Sequence, residues 1–576
     1  MHWLVATVNP EMVRQLAGEL GLPPLLARLL VLRGIETPTA AEQFLNPRLD
    51  QLHAPSLMAG MDSAVLRLRR AIERQEKILV YGDYDVDGTM AVVVLLTALR
   101  SLGAKVDAHI PHRLTDGYGM RKAVIEQAGA QSYSVVLSVD TGIREHEVIA
   151  RAGELGIDCI VTDHHLPDEH LPPACAILNP RRPDCAYPEK NLAGVGVAFK
   201  LAQALLVRNG SGASEKMLQS YLKVVAIGTI ADVVPLTGEN RVIAYFGLQG
   251  LQKPVHPGLD ALLTVSGLAG KTITAGDIGF RIGPRLNAAG RMENARDVID
   301  LLTTSDPVQA RQFAERLEML NRERQRVETE ILREITIYMD QHPDKANCYS
   351  LVLSGQGWHR GVIGIVAQRV VERYHRPTLV IGVEEGIGQG SARSIPHFHL
   401  LNALSRSSDL FDRFGGHAQA AGFTLPAGRI GDLEARLETY CRSVLKPEDL
   451  EPVLRIDAEI KLDEVESGLF AKLCKLEPFG FGNPAPTFVA RNVKLMEPPR
   501  VLKDKHLKFR VTQGGRSFDA LGWGWAGRYS DFKAGQQVDL AFALDENVYM
   551  GRSTLQLILK DAQVDGVSRV QCNRTA

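Results

Sequence analysis

Residues 77–91, KILVYGDYDVDGTMA, limit what this chain can fold into more than any other stretch. An apolar, β-type run at 78–81 leads into Asp83, Asp85 and Asp87 at alternate positions, followed by Gly88 and an apolar helical run over 91–99. A strand must therefore pass into a helix through a turn that carries three carboxylates. Like charges on one turn repel. A hard divalent cation such as Mg²⁺ or Mn²⁺ relieves that repulsion, because carboxylate oxygens are its preferred ligands. Taken alone, the run is equally well explained as a solvated acidic turn.

Three later segments change that balance. The buried-strand pattern of 134–143, SVVLSVDTGI, ends in Asp140, and that of 158–165, DCIVTDHH, ends in Asp163, His164 and His165. A fourth apolar run, 224–230, leads to Asp232 in the segment GTIADVVPL. The expectation is four strand ends carrying acids or histidines, at the edge where open parallel sheets bind ligands. A His-His pair by itself is more often a satisfied structural feature; as the third of four such clusters it reads as a ligand pair. Strand and helix patterns alternate from about residue 62 to 251, which predicts a doubly wound α/β domain.

At 576 residues the chain is too long for one core, and about 150 residues per domain suggests roughly four. Lys and Arg number 66 against 67 Asp and Glu, so no global basic field announces a polyanion, and any such partner must meet a locally basic groove. Seven scattered cysteines without a CxxC pair read as reduced thiols rather than a zinc site or a disulfide framework. The start, MHWLVATVNPEMVRQL, lacks a secretory pattern, and no apolar run approaches the ~20 residues that span a bilayer. The chain is expected to be cytoplasmic, without membrane contact.

Cations beside glycines mark candidate phosphate contacts. Residues 111–120, PHRLTDGYGM, place Arg113 in a glycine-bearing loop, with a plain surface loop as the alternative. Residues 280–297, FRIGPRLNAAGRMENARD, carry Arg281, Arg285, Asn287, Arg291 and Arg296, offset only by Glu293 and Asp297. That composition suits a groove tracking a phosphodiester backbone better than a charged helix face. A long helix from about 309 to 341 then reads as a connector. Beyond it, a second α/β pattern contains three loops: GWHRGVIG with Arg360, GQGSARS with Ser391 and Arg393, and RFGGHAQAAG with His417. Each could make an anion nest, and each alone is a weak signal. From about 452 the pattern turns to short alternating strands, predicting a small β-barrel. Its Phe509, Phe518, Trp523, Trp525 and Tyr549 stand near basic residues and suit either base stacking or a core.

The set Asp83, Asp85, Asp87, Asp140, Asp163, His164, His165 and Asp232, with Gly415-Gly416-His417 downstream, resembles the DHH phosphoesterases and, within them, the RecJ family of single-strand-specific exonucleases. The resemblance implies two α/β domains, DHH and DHHA1, joined by a long helix, plus a C-terminal all-β OB-like domain. The divisions expected are a helical cap at 1–60, DHH at 61–255, the arginine-rich segment and connecting helix at 256–345, DHHA1 at 346–450 and the OB fold at 451–576. It further implies two divalent metals, Mn²⁺ or Mg²⁺, held by Asp83, Asp85, Asp87, Asp140, Asp163, His164 and Asp232, with Asp140 bridging and His165 a ligand or a donor to the scissile phosphate. Tyr81 stands where several DHH relatives carry a histidine. Substrate contacts fall to Arg113, Arg281, Arg285, Asn287, Arg291, Arg360, Ser391, Arg393 and His417. The implied activity is 5′→3′ exonucleolysis of single-stranded DNA in recombination and repair, by a monomer with single-strand-binding protein and helicase as partners. A phosphodiesterase acting on short oligonucleotides or cyclic dinucleotides, and a non-catalytic DNA-binding scaffold, are the alternatives. The first predicts a shorter chain and the second eroded ligands, and neither is seen.

Overall fold

Strand Lys77–Tyr81 lies inside a five-stranded sheet in which every pairing is parallel, in the order Lys105–His109, Lys77–Tyr81, Tyr133–Val139, Asp158–Thr162, Ala176–Leu178. The structure is a computed structural model describing residues 1–576 apart from 114, 118, 207–211, 550–551, 565–569 and 572–576. The side chains at 212–215, 548–549, 552 and 570–571 also fall outside the description, so the expectation for the Tyr549 ring does too. From the first strand, successive connections lead to one side and then the other, and a crevice opens at the carboxyl ends of Lys77–Tyr81 and Tyr133–Val139. Ile78, Val80, Val135, Leu137 and Ile160 are fully buried, as a sheet covered on both faces requires. Helix Val86–Ser101 starts where the Asp85 carboxylate accepts the Gly88 N–H at 3.0 Å. It is buried on nearly every face because helices Gly194–Leu206 and Gly212–Ala231 pack against it.

The run 224–230, expected as a fourth strand, is instead the end of helix Gly212–Ala231. Helices Val86–Ser101 and Gly238–Leu251 enclose it, so it is apolar on all sides and reads like a buried strand. Asp232 thus follows a helix. The arginine-rich segment is likewise helical, a π turn at Ile278–Ile282 continuing into Gly283–Met292.

Helix Pro307–Gln341, capped by Asp306 accepting Val308 N–H at 2.8 Å, leads to a second sheet. Its order is Arg413–Gly416, Ala420–Pro426, Ile387–Arg393, Thr378–Glu384, Leu351–Gln356, parallel only in the last pair. Two segments expected as loops are therefore largely strand: 388–394 lies almost wholly in Ile387–Arg393, and 413–422 spans a hairpin with His417 in its turn. The glycines misled for a packing reason, since a Cβ on Gly390 would stand 2.0 Å from the Phe423 ring. All of this belongs to one compact unit, Leu52–Leu450.

The second unit joins Met1–Gln51 to Glu451–Ala576. Strands Phe488–Leu495, Gln537–Tyr549, Arg552–Val564, Arg516–Gly522 and His506–Gln513 follow one another, and the last pairs back to the first to close a barrel. Strand His2–Val5 runs parallel to Val453–Ile456 and Val570–Gln571. Leu16, Leu26, Leu29, Leu30 and Phe44 from the N-terminal helices share a core with Phe488, Phe509 and Phe542. Phe509 and Phe518 are thereby core residues, and Trp525 stacks on Phe532 at 6.1 Å, whereas Trp523 is 56% exposed. Among the described residues no helix is long and apolar enough to cross a membrane, and all six described cysteines are unpaired.

Candidate metal centre

The turns that follow three strands of the first sheet, together with the end of helix Gly212–Ala231, bring six acids and two histidines together. Asp140 sits directly after strand Tyr133–Val139 in left-handed backbone, φ 58°, which Asp tolerates better than most residues. His164 Nε2 lies 3.1 Å from Asp140 Oδ1, 3.7 Å from Asp232 Oδ2 and 3.8 Å from Asp87 Oδ2. Three overlapping groups have ligand atoms within 4.8 Å of one another: Asp83, Asp85 and Asp140; Asp87, His164 and Asp232; Asp140, His164 and His165. Asp140 and His164 each belong to two of them.

Asp87 is fixed by the start of helix Gly194–Leu206, its oxygens accepting the N–H groups of Gly194 at 2.6 Å and Val195 at 2.9 Å. Residue 194 must be glycine, since a Cβ there would stand 2.7 Å from Asp140 and 2.8 Å from Asp87. Asp163, expected among the ligands, is not in any of the three groups. Its Oδ2 accepts the Ile143 N–H at 3.0 Å, and its Oδ1 accepts the N–H groups of His164 and His165 at 2.7 and 3.0 Å and lies 2.8 Å from His165 Nδ1. Tyr81 is buried away from the cluster, its hydroxyl donating to the Gly119 carbonyl.

Burial, then mutual repulsion, pushes the acids up: Asp87 to about 7, Asp232 to about 9, and Asp83 and Asp140 well above the carboxylate range. Burial, reinforced by the charge of His165, pushes His164 down to about 3, so it is neutral and able to ligate. Burial would raise Asp163, but the hydrogen bond and charge of His165 outweigh it and hold Asp163 low. Asp83 Oδ1, Asp140 Oδ1 and both His164 nitrogens are buried with no hydrogen-bond partner in the protein. Orphaned carboxylate oxygens beside a neutral imidazole, which offers one bare nitrogen lone pair, fit divalent cations.

Three arginines gather beside the acids. Burial, then the charges of Arg113, Arg393 and Arg324, pushes Arg291 down to about 9, while Asp85 pulls the other way. Burial, then Arg113, lowers Arg393 as well. Arg113 lies over the Tyr84 ring at 4.8 Å, and Arg291 donates to the Gly361 carbonyl at 3.1 Å. A cavity of about 480 Å³ is lined by Arg113, Arg121, Arg360, Gly390, Ser391 and Arg413. Arg393 donates to the Ser391 hydroxyl at 3.2 Å and so adjoins that wall. Two other expected substrate contacts have partners within the protein, and a third is placed only on its helix. Arg281 holds Asp277 and the Ser266 carbonyl, Arg285 pairs with Glu318 at 2.7 Å, and Asn287 is half-buried on its helix. His417 lines a different cavity, beside His164 and His165. Arg121, Arg144 and Arg181 escaped the sequence reading because no motif sets them apart.

Family models match residues 77–229 (DHH family, N-terminal domain), 346–443 (DHHA1 domain) and 456–561 (RecJ OB domain). The single-stranded-DNA-specific exonuclease RecJ of Bacillus subtilis (strain 168) is 37% identical over 568 residues, covering 98% of this chain and 71% of that protein. The protein of the same name from Dickeya dadantii (strain 3937) is 37% identical over 557 residues, covering 94% and 96%. The chain belongs to the RecJ family. Among solved structures, RecJ from Thermus thermophilus in complex with Mn²⁺ superimposes with a TM-score of 0.83 at 30% identity, covering 98% of this chain and 80% of that one. An exonuclease RecJ bound to manganese gives 0.61 at 35% identity, covering 70% and 98%. The expected fold class, DHH and DHHA1 domains followed by a β-rich OB domain, is the one observed. RecJ structures have been solved with Mn²⁺ and with Mg²⁺, matching the cofactor class expected here.

Proposed function

We propose that this protein is a metal-dependent exonuclease that hydrolyses single-stranded DNA from its 5′ end. The observation that carries the reading is the juxtaposition of an acid and histidine cluster with orphaned acceptors and a cluster of mutually repelling arginines. The first fits two divalent ions and the second fits phosphate. Asp83, Asp85, Asp87, Asp140, His164 and Asp232 would hold the ions, with Asp140 shared. Bound there, divalent ions lower the pKa of a water and clamp the oxygens of a phosphodiester.

The remaining groups position. Asp163 orients His165 and the backbone of its turn, so that His165 keeps a proton to offer the scissile phosphate; its pKa is raised because Asp163 outweighs burial. Arg113, Arg393, Arg360 and Ser391 bind the terminal 5′-phosphate, and Arg291 neutralises charge between that phosphate and the acids. The barrel in Glu451–Ala576, through exposed Trp523, supports longer strands by stacking. A single-strand-specific enzyme draws its substrate from unwinding in recombination and repair, so a helicase and a single-strand-binding protein are the partners the reaction calls for. The protein works in the cytoplasm as a monomer.

The test is digestion of single-stranded DNA labelled at either end, with Mn²⁺, Mg²⁺ or chelator, beside a circular single strand. Release of the 5′ label first, with the circle intact and chelator abolishing the reaction, is expected. Consumption from the 3′ end, or cutting of the circle, would refute the reading.

A further inference from the structure

A second cavity, about 620 Å³, opens beside His164 and His165, and several of its walls have no role in the chemistry above. Thr141 is 2% exposed, and its hydroxyl has no hydrogen-bond partner. Arg144 is held by the Leu166 carbonyl at 2.9 Å and by Asp168 at 3.4 Å. Arg181 donates from Nε to the Lys190 carbonyl at 3.3 Å, and its charge reaches both Asp232 and His164. Alongside these groups Ile143, buried, and Leu166, 57% exposed, give the wall an apolar stretch, Glu145 and Asp163 add carboxyls, and His417 closes it from the second sheet.

An apolar stretch beside fixed guanidinium groups and a buried hydroxyl is the chemistry of a nucleoside carrying a phosphate, the Asp163 oxygens being already taken up by its own turn, and the volume suits one. The first cavity shares no lining residue with this one and already accounts for the terminal phosphate. A polymer cut between the two must continue past the metal ligands in the other direction. We propose that the second cavity seats the nucleotide on the 3′ side of the scissile phosphate, its base against Ile143 and Leu166 and its own 3′-phosphate between Arg144 and Arg181. This rests on the exonuclease reading. It makes the strand gripped on both sides of the cut, so that the register of each step is set by one nucleotide.

The experiment uses a 5′-phosphorylated oligonucleotide whose second linkage is an uncharged methylphosphonate, and follows release of the labelled terminal nucleotide. The full-length protein should lose about tenfold or more in kcat/KM relative to the unmodified strand, as expected for one lost charged hydrogen-bonding contact. A methylphosphonate ten linkages away should cost far less. The Arg144→Gln/Arg181→Gln variant should be slower on unmodified DNA and insensitive to the modification. Indifference of the wild-type protein to the second linkage overturns the proposal, as does a variant that keeps the full penalty. The wild-type comparison decides alone if the double variant does not fold. Failure of the exonuclease reading shows differently, as no release from the unmodified strand.

Discussion

The acid cluster and the arginine cluster have the same defect with opposite sign. Each brings like charges together, and in the function proposed above each would be relieved by a partner outside the chain: cations for Asp83, Asp87, Asp140 and Asp232, and phosphate for Arg113, Arg291 and Arg393. They differ in how they are held. The acids sit on short turns after strands or at helix ends, and Asp87, in the first turn of Val86–Ser101, is clamped by the N–H groups of Gly194 and Val195. The arginines reach in from a loop, a helix end and a strand end well apart in sequence. Rigid, short-range geometry suits ions that set a reaction coordinate; long flexible side chains suit a ligand that must enter and leave each cycle.

The largest effect should follow from breaking the acid side. Asp140→Asn keeps the left-handed backbone, which Asn also tolerates, and removes one charge shared by two groups of ligands. Hydrolysis should fall by about 10²–10³ or more, in the range seen for losing one preorganised stabiliser, while binding of single-stranded DNA in a gel-shift assay stays near wild type. Retention of more than a tenth of the rate would contradict the bridging role.

A second consequence separates the clusters by pH. Because the folded-state values of Asp87, near 7, and Asp232, near 9, lie above those of an unfolded chain, their contribution to the stability of the metal-free protein is fullest at low pH and is lost as pH rises from the unfolded carboxylate range through 7 to 9. Thermal unfolding in chelator should show Tm falling from pH 5.5 to pH 9, and the increment on adding Mn²⁺ growing over the same interval. A metal-free Tm that stays flat or rises would show that the acids are not strained by one another.

How much of this was legible depended on sequence distance. The turn at 83–88, Asp140 and the Asp163–His165 turn could be read because each follows its own strand, and period and turn chemistry are local. Asp232 joins the cluster from a helix end although its lead-in reads as a strand, because burial of that helix on nearly all sides erases the periodicity that separates helix from strand. Asp163 looked like a ligand because residue type does not reveal which oxygens backbone N–H groups already occupy. The pairing of His2–Val5 with Val453–Ile456 left no trace, since a contact across some 450 residues has no local signature. Arg144 and Arg181 carry no signal of their own, since no motif sets them apart from other surface arginines.

On the arginine side, Arg393→Ala should remove most of the preference for a 5′-phosphate over a 5′-hydroxyl, by about tenfold, since a charged hydrogen bond is worth roughly 1.5–3 kcal/mol. The rate on 5′-hydroxyl strands should change little. Competition between the two substrates measures this directly, and an unchanged ratio would remove Arg393 from the terminus-reading site.

The smallest effect sharpens the comparison most. Arg285 and Arg291 lie six positions apart in one arginine-rich segment, yet Arg285 pairs with Glu318 in a largely buried contact, whereas Arg291 stands among other arginines with Asp85 nearby. If the arginine cluster exists to meet phosphate, only the unneutralised member should register in binding. Arg291→Gln should weaken single-strand binding and flatten its dependence on salt by roughly 0.7 in the log–log slope, one phosphate contact's worth. Arg285→Gln should leave that slope unchanged and instead lower stability by about 1 kcal/mol, the cost of losing the largely buried hydrogen bond to Glu318, which keeps only its exposed pairing with Arg322. Equal changes in slope for the two variants would mean that Arg285 leaves Glu318 when DNA binds. The basic character of the segment as a whole, rather than the cluster around Arg291, would then carry the contact.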